Sequence, residues 1–182
     1  LAAMLVISVT VAGSASADSL TAGVYPAVLT GTADAGFTDE VTTTAGLKKC
    51  PEPRYDATIT GPVTTGGAIA VSPTYPDMGC TAFGFPGTID VNGCTLVFRV
   101  LAGTAGTISL ACPAGSELTM TASGGGGTVK CTMHWPPQTD IPGTVKFTNV
   151  VGGSTVEANL KEIKYTHTAG TLLQKSMLSR RT

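Results

Sequence analysis

The sequence predicts an all-β fold, an antiparallel β-sandwich or open barrel stapled by disulfides. Three observations predict it. Only 13% of the residues are charged, and Thr, Gly, Val and Ala dominate the remainder. Thr and Val suit a pleated, half-buried surface, and Gly and Pro punctuate it with turns. Apolar and polar residues alternate with period two in short runs, the pattern of strands joined by tight connections. Five cysteines, Cys50, Cys80, Cys94, Cys112 and Cys131, provide the staples and leave one thiol over.

The chain opens on an uncharged apolar run, Met4 to Ala12, followed by the small residues Gly13-Ser14-Ala15-Ser16-Ala17. This is the order of an h-region and a cleavage site, with cleavage expected before Asp18. The run is too short to cross a bilayer, which takes about 20 apolar residues. Residues 1–17 are therefore read as the remnant of a secretory signal peptide, without a basic n-region; the alternative is a buried N-terminal strand. Residues 18–172 follow as the secreted β domain, with position 113 as a candidate division into two parts. Residues 173–182 form a divergent or truncated basic tail. No segment of the mature chain is long and apolar enough to span a membrane.

Within the domain, Val24 to Thr32, Tyr55 to Thr60 and Ala68 to Ser72 read as strands. Gly87 to Val91 is a strand leading into Asn92-Gly93, a dipeptide that supplies the positive φ angles of a tight turn. Thr95 to Val100 and Thr107 to Ala111 follow. Leu118 to Ala122 and Thr128 to Met133 flank a glycine-rich tip, Ser123 to Gly127, and Thr144 to Val150 is a further strand. Tyr25-Pro-Ala-Val-Leu-Thr-Gly31 echoes Tyr55-Asp-Ala-Thr-Ile-Thr-Gly61, as two similar strands of one sheet would. Ser154 to Thr168 fits a capped helix through Ser154 and Glu157. Thr155, Thr166 and Thr168 favour strand, with a bulge near Lys161.

Five cysteines with one left over allow several pairings, and the hairpin register favours one of them first. If Leu96 faces Leu110 and Phe98 faces Ile108, all four share one side, and Cys94 faces Cys112 within bonding range. Cys50 and Cys80 bracket a Pro- and Gly-rich stretch and form the second pair. Cys131 remains as the free thiol. Cys131-Thr-Met-His134 has ligand-like spacing, but no second close pair completes a zinc site, so no metal and no cofactor are expected.

Catalytic signatures are thin. His134, His167, Asp140 and several serines could be arranged as a triad, yet no nucleophile elbow is present. Asp34, Asp39 and Glu40 match no calcium-loop spacing and read as solvated loop charges. The one recognition feature is His134-Trp135-Pro136-Pro137. Trp135, with His134 beside it, could offer a sugar a flat aromatic face, or the ring could cap the core where the strand exits. The net charge of −1 provides no field for nucleic acid. Six basic residues from Lys146 onward, against Glu157 and Glu162, could touch an anionic wall polymer, although a solvated face is the ordinary reading.

Val71-Ser-Pro-Thr-Tyr75, Gly79-Cys-Thr-Ala-Phe-Gly84, Asn92-Gly-Cys94 and Leu110-Ala-Cys-Pro-Ala-Gly115 form a series of motifs. Together with Ala22-Gly-Val-Tyr-Pro-Ala27, Pro136-Pro-Gln-Thr139 and Ile163-Lys-Tyr-Thr166, the series resembles a group of uncharacterised secreted actinobacterial proteins. The resemblance runs from about Leu20 to Gly170. It implies an exported, β-rich, cysteine-stapled domain, and it implies no activity, so no catalytic residue transfers. Members of the group carry a sixth cysteine after the last strand, where this chain has Leu172 and Leu173. The resemblance thus makes Cys131 the partner of a missing cysteine. The expected function is non-enzymatic, a structural or adhesive β module of the cell envelope or the extracellular space. The alternative is an extracellular glycan- or small-ligand-binding domain.

Overall fold

The computed structural model describes residues 4–10, 19–22, 24–32, 38–43, 46–77, 79–101, 105–124, 129–150, 153–160 and 163–169. These residues form strands, numbered in chain order, and no helix. One sheet runs in the order β1 (Met4–Thr10), β16 (Gly153–Leu160), β15 (Gln138–Val150), β12 (Ala105–Ala111), β11 (Thr95–Val100), β8 (Ala68–Thr74), β6 (Arg54–Ile59) and β3 (Ala27–Thr32). The second runs β17 (Thr166–Ala169), β14 (Val129–Trp135), β13 (Leu118–Gly124), β10 (Phe85–Asp90), β9 (Thr81–Ala82), β5 (Gly46–Pro51) and β4 (Thr38–Thr43). A two-stranded ribbon pairs β2 (Ser19–Leu20) with β7 (Val63–Thr64). The pairings are antiparallel, and the two large sheets do not close into a barrel. Both draw strands from either side of residue 113.

Period-two alternation becomes one buried and one solvated face. Along β6, Tyr55, Ala57 and Ile59 are buried while Arg54, Asp56 and Thr58 are exposed. On its neighbour β8, Ile69, Val71 and Pro73 point inward. Proline is tolerated there because the ladder to β11 ends at Val71, so the missing N–H removes no bond on that side. The echo between residues 25–31 and 55–61 resolves as adjacent strands: β3 pairs with β6, Ala27 opposite Ile59 and Gly31 opposite Tyr55.

The two sheets stack their inner faces into one core. The first contributes Tyr55, Phe98, Ile108 and Leu110, and the second Met120, Met133 and Trp135. Among the described residues, no buried side-chain nitrogen or oxygen lacks a hydrogen-bond partner. Lys48 is the buried charged residue of that set, at 4% exposed. Its ammonium lies 5.2 Å from the centroid of the Tyr75 ring, whose negative face favours a cation.

The register of the β11–β12 hairpin is the one the apolar pattern requires. Leu96 lies opposite Leu110 and Phe98 opposite Ile108, and Cys94 is bonded to Cys112 just beyond the paired residues. Cys50 of β5 is bonded to Cys80, ahead of β9. The Asn92-Gly93 turn takes φ of 48° and 74° and is closed by Cys94 N–H donating to the Val91 carbonyl at 2.7 Å. It joins β10 of one sheet to β11 of the other, so it is a corner between layers and not a hairpin within one. Asn92 holds that corner, its side-chain amide donating to the Glu117 carbonyl at 2.9 Å.

A second tie crosses between the layers. Gln138 of β15 donates through Nε2 to the Lys164 carbonyl at 2.9 Å and accepts from Lys164 N–H at 2.7 Å. One side-chain amide thus acts as a short stretch of strand for the segment leading into β17.

Several expectations are adjusted. Ser154 to Thr168 contains two strands, β16 and β17, in different sheets; the bulge expected near Lys161 lies outside the described residues. Asp39 and Glu40 lie in a strand, β4, not a loop, and Asp34 lies outside the described residues. The tail 173–182 also lies outside them, as does most of the glycine-rich tip. Met4–Thr10, the apolar run read as a leader, pairs along β16, Met4 opposite Asn159 and Thr10 opposite Gly153.

Candidate functional site

The outward face of the second sheet carries the candidate site. Alternation in β14 turns Met133 and Trp135 into the core and His134 out. Glu117, immediately before β13, reaches over so that its Oε1 lies 2.5 Å from His134 Nδ1. On the other side of the imidazole, Nε2 lies 3.4 Å from Thr168 Oγ1 on β17. A carboxylate on Nδ1 fixes the proton there, and Nε2 then presents its lone pair to the hydroxyl.

This carboxylate–imidazole–hydroxyl order is that of a hydrolase triad. The chemistry differs in three respects. The hydroxyl belongs to threonine, whose Oγ1 is secondary. At 3.4 Å it lies beyond ordinary O–H···N distance. Thr168 is exposed on a sheet face. What the arrangement does well is hold a carboxylate and an imidazole together, with a hydroxyl beside them, on an open face.

The other sequence-derived candidates scatter. His167 lies opposite Met133 in the β14–β17 ladder and so sits on the other face of the sheet from His134. Its ring is 6.4 Å from that of Tyr165. Asp140 belongs to β15 in the first sheet, where Oδ1 accepts from the Thr107 hydroxyl at 3.2 Å and its N–H donates to Ser109 Oγ at 3.0 Å. The structure therefore does not assemble His134, His167 and Asp140.

Trp135 corrects the recognition reading. Its ring is 4% exposed and sits in the core, with Leu118 opposite it on β13. Strand parity decides this: Trp135 shares the inward face of β14 with Met133, opposite to His134, so its ring offers no platform to a sugar. The same parity separates Cys131 from His134. Cys131 is buried at 1% exposed while His134 faces out, so the two cannot share a metal ion. Among the described residues, no group of three His, Cys, Asp or Glu side chains could hold one.

Cys131 is the free thiol of the described residues. Ala122 and Ala169 lie opposite it on the flanking strands. Burial among apolar groups disfavours the thiolate and pushes its pKa above the ordinary 9.0. Iodoacetamide at pH 8 is therefore expected to spare Cys131 in the folded protein and modify it fully in guanidinium; fast labelling of the folded chain would contradict the burial. The sign for stability follows. Above the ordinary thiol value the unfolded chain loses its proton first, so stability falls as pH rises past about 9.

Two members of the site, Glu117 and Thr168, escaped sequence reasoning. The available signal was parity: Thr119, Thr121, Thr132, His134, Thr166 and Thr168 occupy alternate positions of three strands. Which strands are neighbours is not written in any one of them. No protein family, no curated protein and no solved structure matches the chain.

Proposed function

We propose that the chain is a non-enzymatic module exported from the cell, with a structural or adhesive role in the envelope or the extracellular space. The carrying observation is the pair of disulfides, Cys50–Cys80 and Cys94–Cys112, set among core strands. Bonds of this kind form and persist in oxidising compartments. Residues 1–17 act in this reading as the leader, removed before Asp18. Their loss leaves the ladders of the remaining strands intact, because β1 is the last strand of its sheet and β16 then becomes the edge. No helix among the described residues is long and apolar enough to cross a membrane.

A non-enzymatic role is supported by the placing of Glu117, His134 and Thr168 on an open sheet face, with a secondary hydroxyl only in a long, 3.4 Å contact with the imidazole. The experiment is expression of the full chain in a secreting bacterial host, followed by fractionation and N-terminal sequencing. The expected product begins at Asp18 and lies outside the cytoplasm with both disulfides formed. Full-length, reduced protein confined to the cytosol would sink the reading. Hydrolytic turnover abolished by Thr168→Val would overturn its non-enzymatic part.

A further inference from the structure

We propose that the outward face of β10, β13, β14 and β17 is a docking surface for a neutral polysaccharide. The ladder registers align its residues in rows across four strands. Thr88 lies opposite Thr121, Thr121 opposite Thr132, and Thr132 opposite Thr168. Two residues along, Asp90 lies opposite Thr119, Thr119 opposite His134, and His134 opposite Thr166. Neighbouring strands are about 4.8 Å apart and the two rows about 7 Å apart, so the face is a regular two-row grid.

The grid is set before any ligand arrives. Thr121 and Thr132 share a hydrogen bond of 3.1 Å. Thr168 faces His134, which Glu117 fixes from the other side. Groups already held in place lose less rotamer freedom on binding. Thr88, Asp90, Thr166 and Thr168 are exposed and the members between them half-buried.

The chemistry of the rows selects the partner. One row is four threonines, each of which donates and accepts, matching a surface of hydroxyls. The second adds the Asp90 carboxylate and the lone pair on His134 Nε2, both of which accept from hydroxyls. Neither row contains Lys or Arg; Lys130, one step beyond on the same face of β14, is a single cation, whereas tracking the phosphates of a nucleic acid takes several. Neither contains the aromatic or Arg anchors on which protein interfaces depend. An array of hydroxyls spread over four strands suits an extended polymer, whereas a small molecule needs concave walls. The proposal rests on the extracellular reading for access to such a polymer and on nothing else in it.

The test is retention of the oxidised full chain on washed cellulose, chitin and mannan in 0.5 M NaCl. Retention on at least one of the three is expected, and Thr121→Val/Thr132→Val/Thr168→Val should weaken it at least tenfold while the melting temperature stays close to the parent's. Valine keeps the branched shape and removes the hydroxyl. Should that variant fail to fold, Thr88→Val alone, on an exposed site, is expected to weaken binding about threefold. Thr58→Val, on the outward face of β6 in the other sheet, should leave binding unchanged. No retention on any of the three polymers, or equal retention by the valine variants, overturns the proposal. The export experiment fails or succeeds separately, since binding is measured on purified protein.

Discussion

Removing both disulfides is expected to destabilise the protein by about 7 kcal/mol, the largest single effect on its fold. Each bond acts mainly by restricting the unfolded chain, and the effect grows with the loop closed. Cys50–Cys80 closes a separation of 30 residues and Cys94–Cys112 one of 18. These loops correspond to about 3.6 and about 3.2 kcal/mol. A domain of this class is stable by about 5–15 kcal/mol in total, so loss of both takes it to the edge of unfolding. Guanidinium titration with and without dithiothreitol, followed by the fluorescence of Trp135, measures the shift. The double variant Cys94→Ser/Cys112→Ser should recover a little under half of it. An unchanged midpoint after verified reduction would show that the core holds the sheets without staples. Cys131 is expected to add nothing to the difference, because it is already a thiol in the folded chain.

The hairpin and its disulfide were legible because register has a single solution when one face is apolar. Shifting β11 by one residue against β12 would turn Phe98 and Leu96 to solvent. The Asn92-Gly93 turn was equally plain, since its positive φ angles suit that dipeptide. What the turn joins was not, because a tight turn can close a hairpin or bend the chain from one layer to the next. The short strands β4, β5 and β9 were missed for a related reason. Gly46 to Pro51 includes two adjacent lysines and shows little alternation, and it becomes a strand through its partners on β4 and β9. Lys48 shows how far context decides: a lysine in sequence reads as surface, yet here it is buried over Tyr75. The candidate site was half legible. His134 stood out by residue type, while Glu117 and Thr168 meet it only through the order β13–β14–β17. Pairing order is a long-range property, fixed by two inner faces meeting, and no local pattern encodes it.

Trp135→Ala is expected to cost about 3–5 kcal/mol, the largest effect of any single side chain in the described core. The ring is 4% exposed, lies opposite Leu118 and packs with Met133 in the layer between the sheets. Truncation leaves a void that the surrounding strands cannot close, because β14 is held on both sides by β13 and β17. Pro136 and Pro137, which follow directly, restrict the backbone at that exit and limit collapse into the space. Trp135→Phe keeps most of the buried area and should cost about 1–2 kcal/mol, as a smaller ring in the same slot. His134→Ala, one residue away and facing out, should cost less than about 1 kcal/mol. This contrast separates a core role from a surface role at adjacent positions, and urea titration by circular dichroism reads it without relying on the removed fluorophore. Equal losses at 134 and 135 would mean that the strand parity argued for β14 is wrong. The same parity makes a second, independent statement: polysaccharide bound to the hydroxyl grid should leave Trp135 emission unchanged, because the ring lies on the opposite face of the sheet from Thr132 and His134. A large quench on binding would place the ligand at the core side and contradict the grid as its seat.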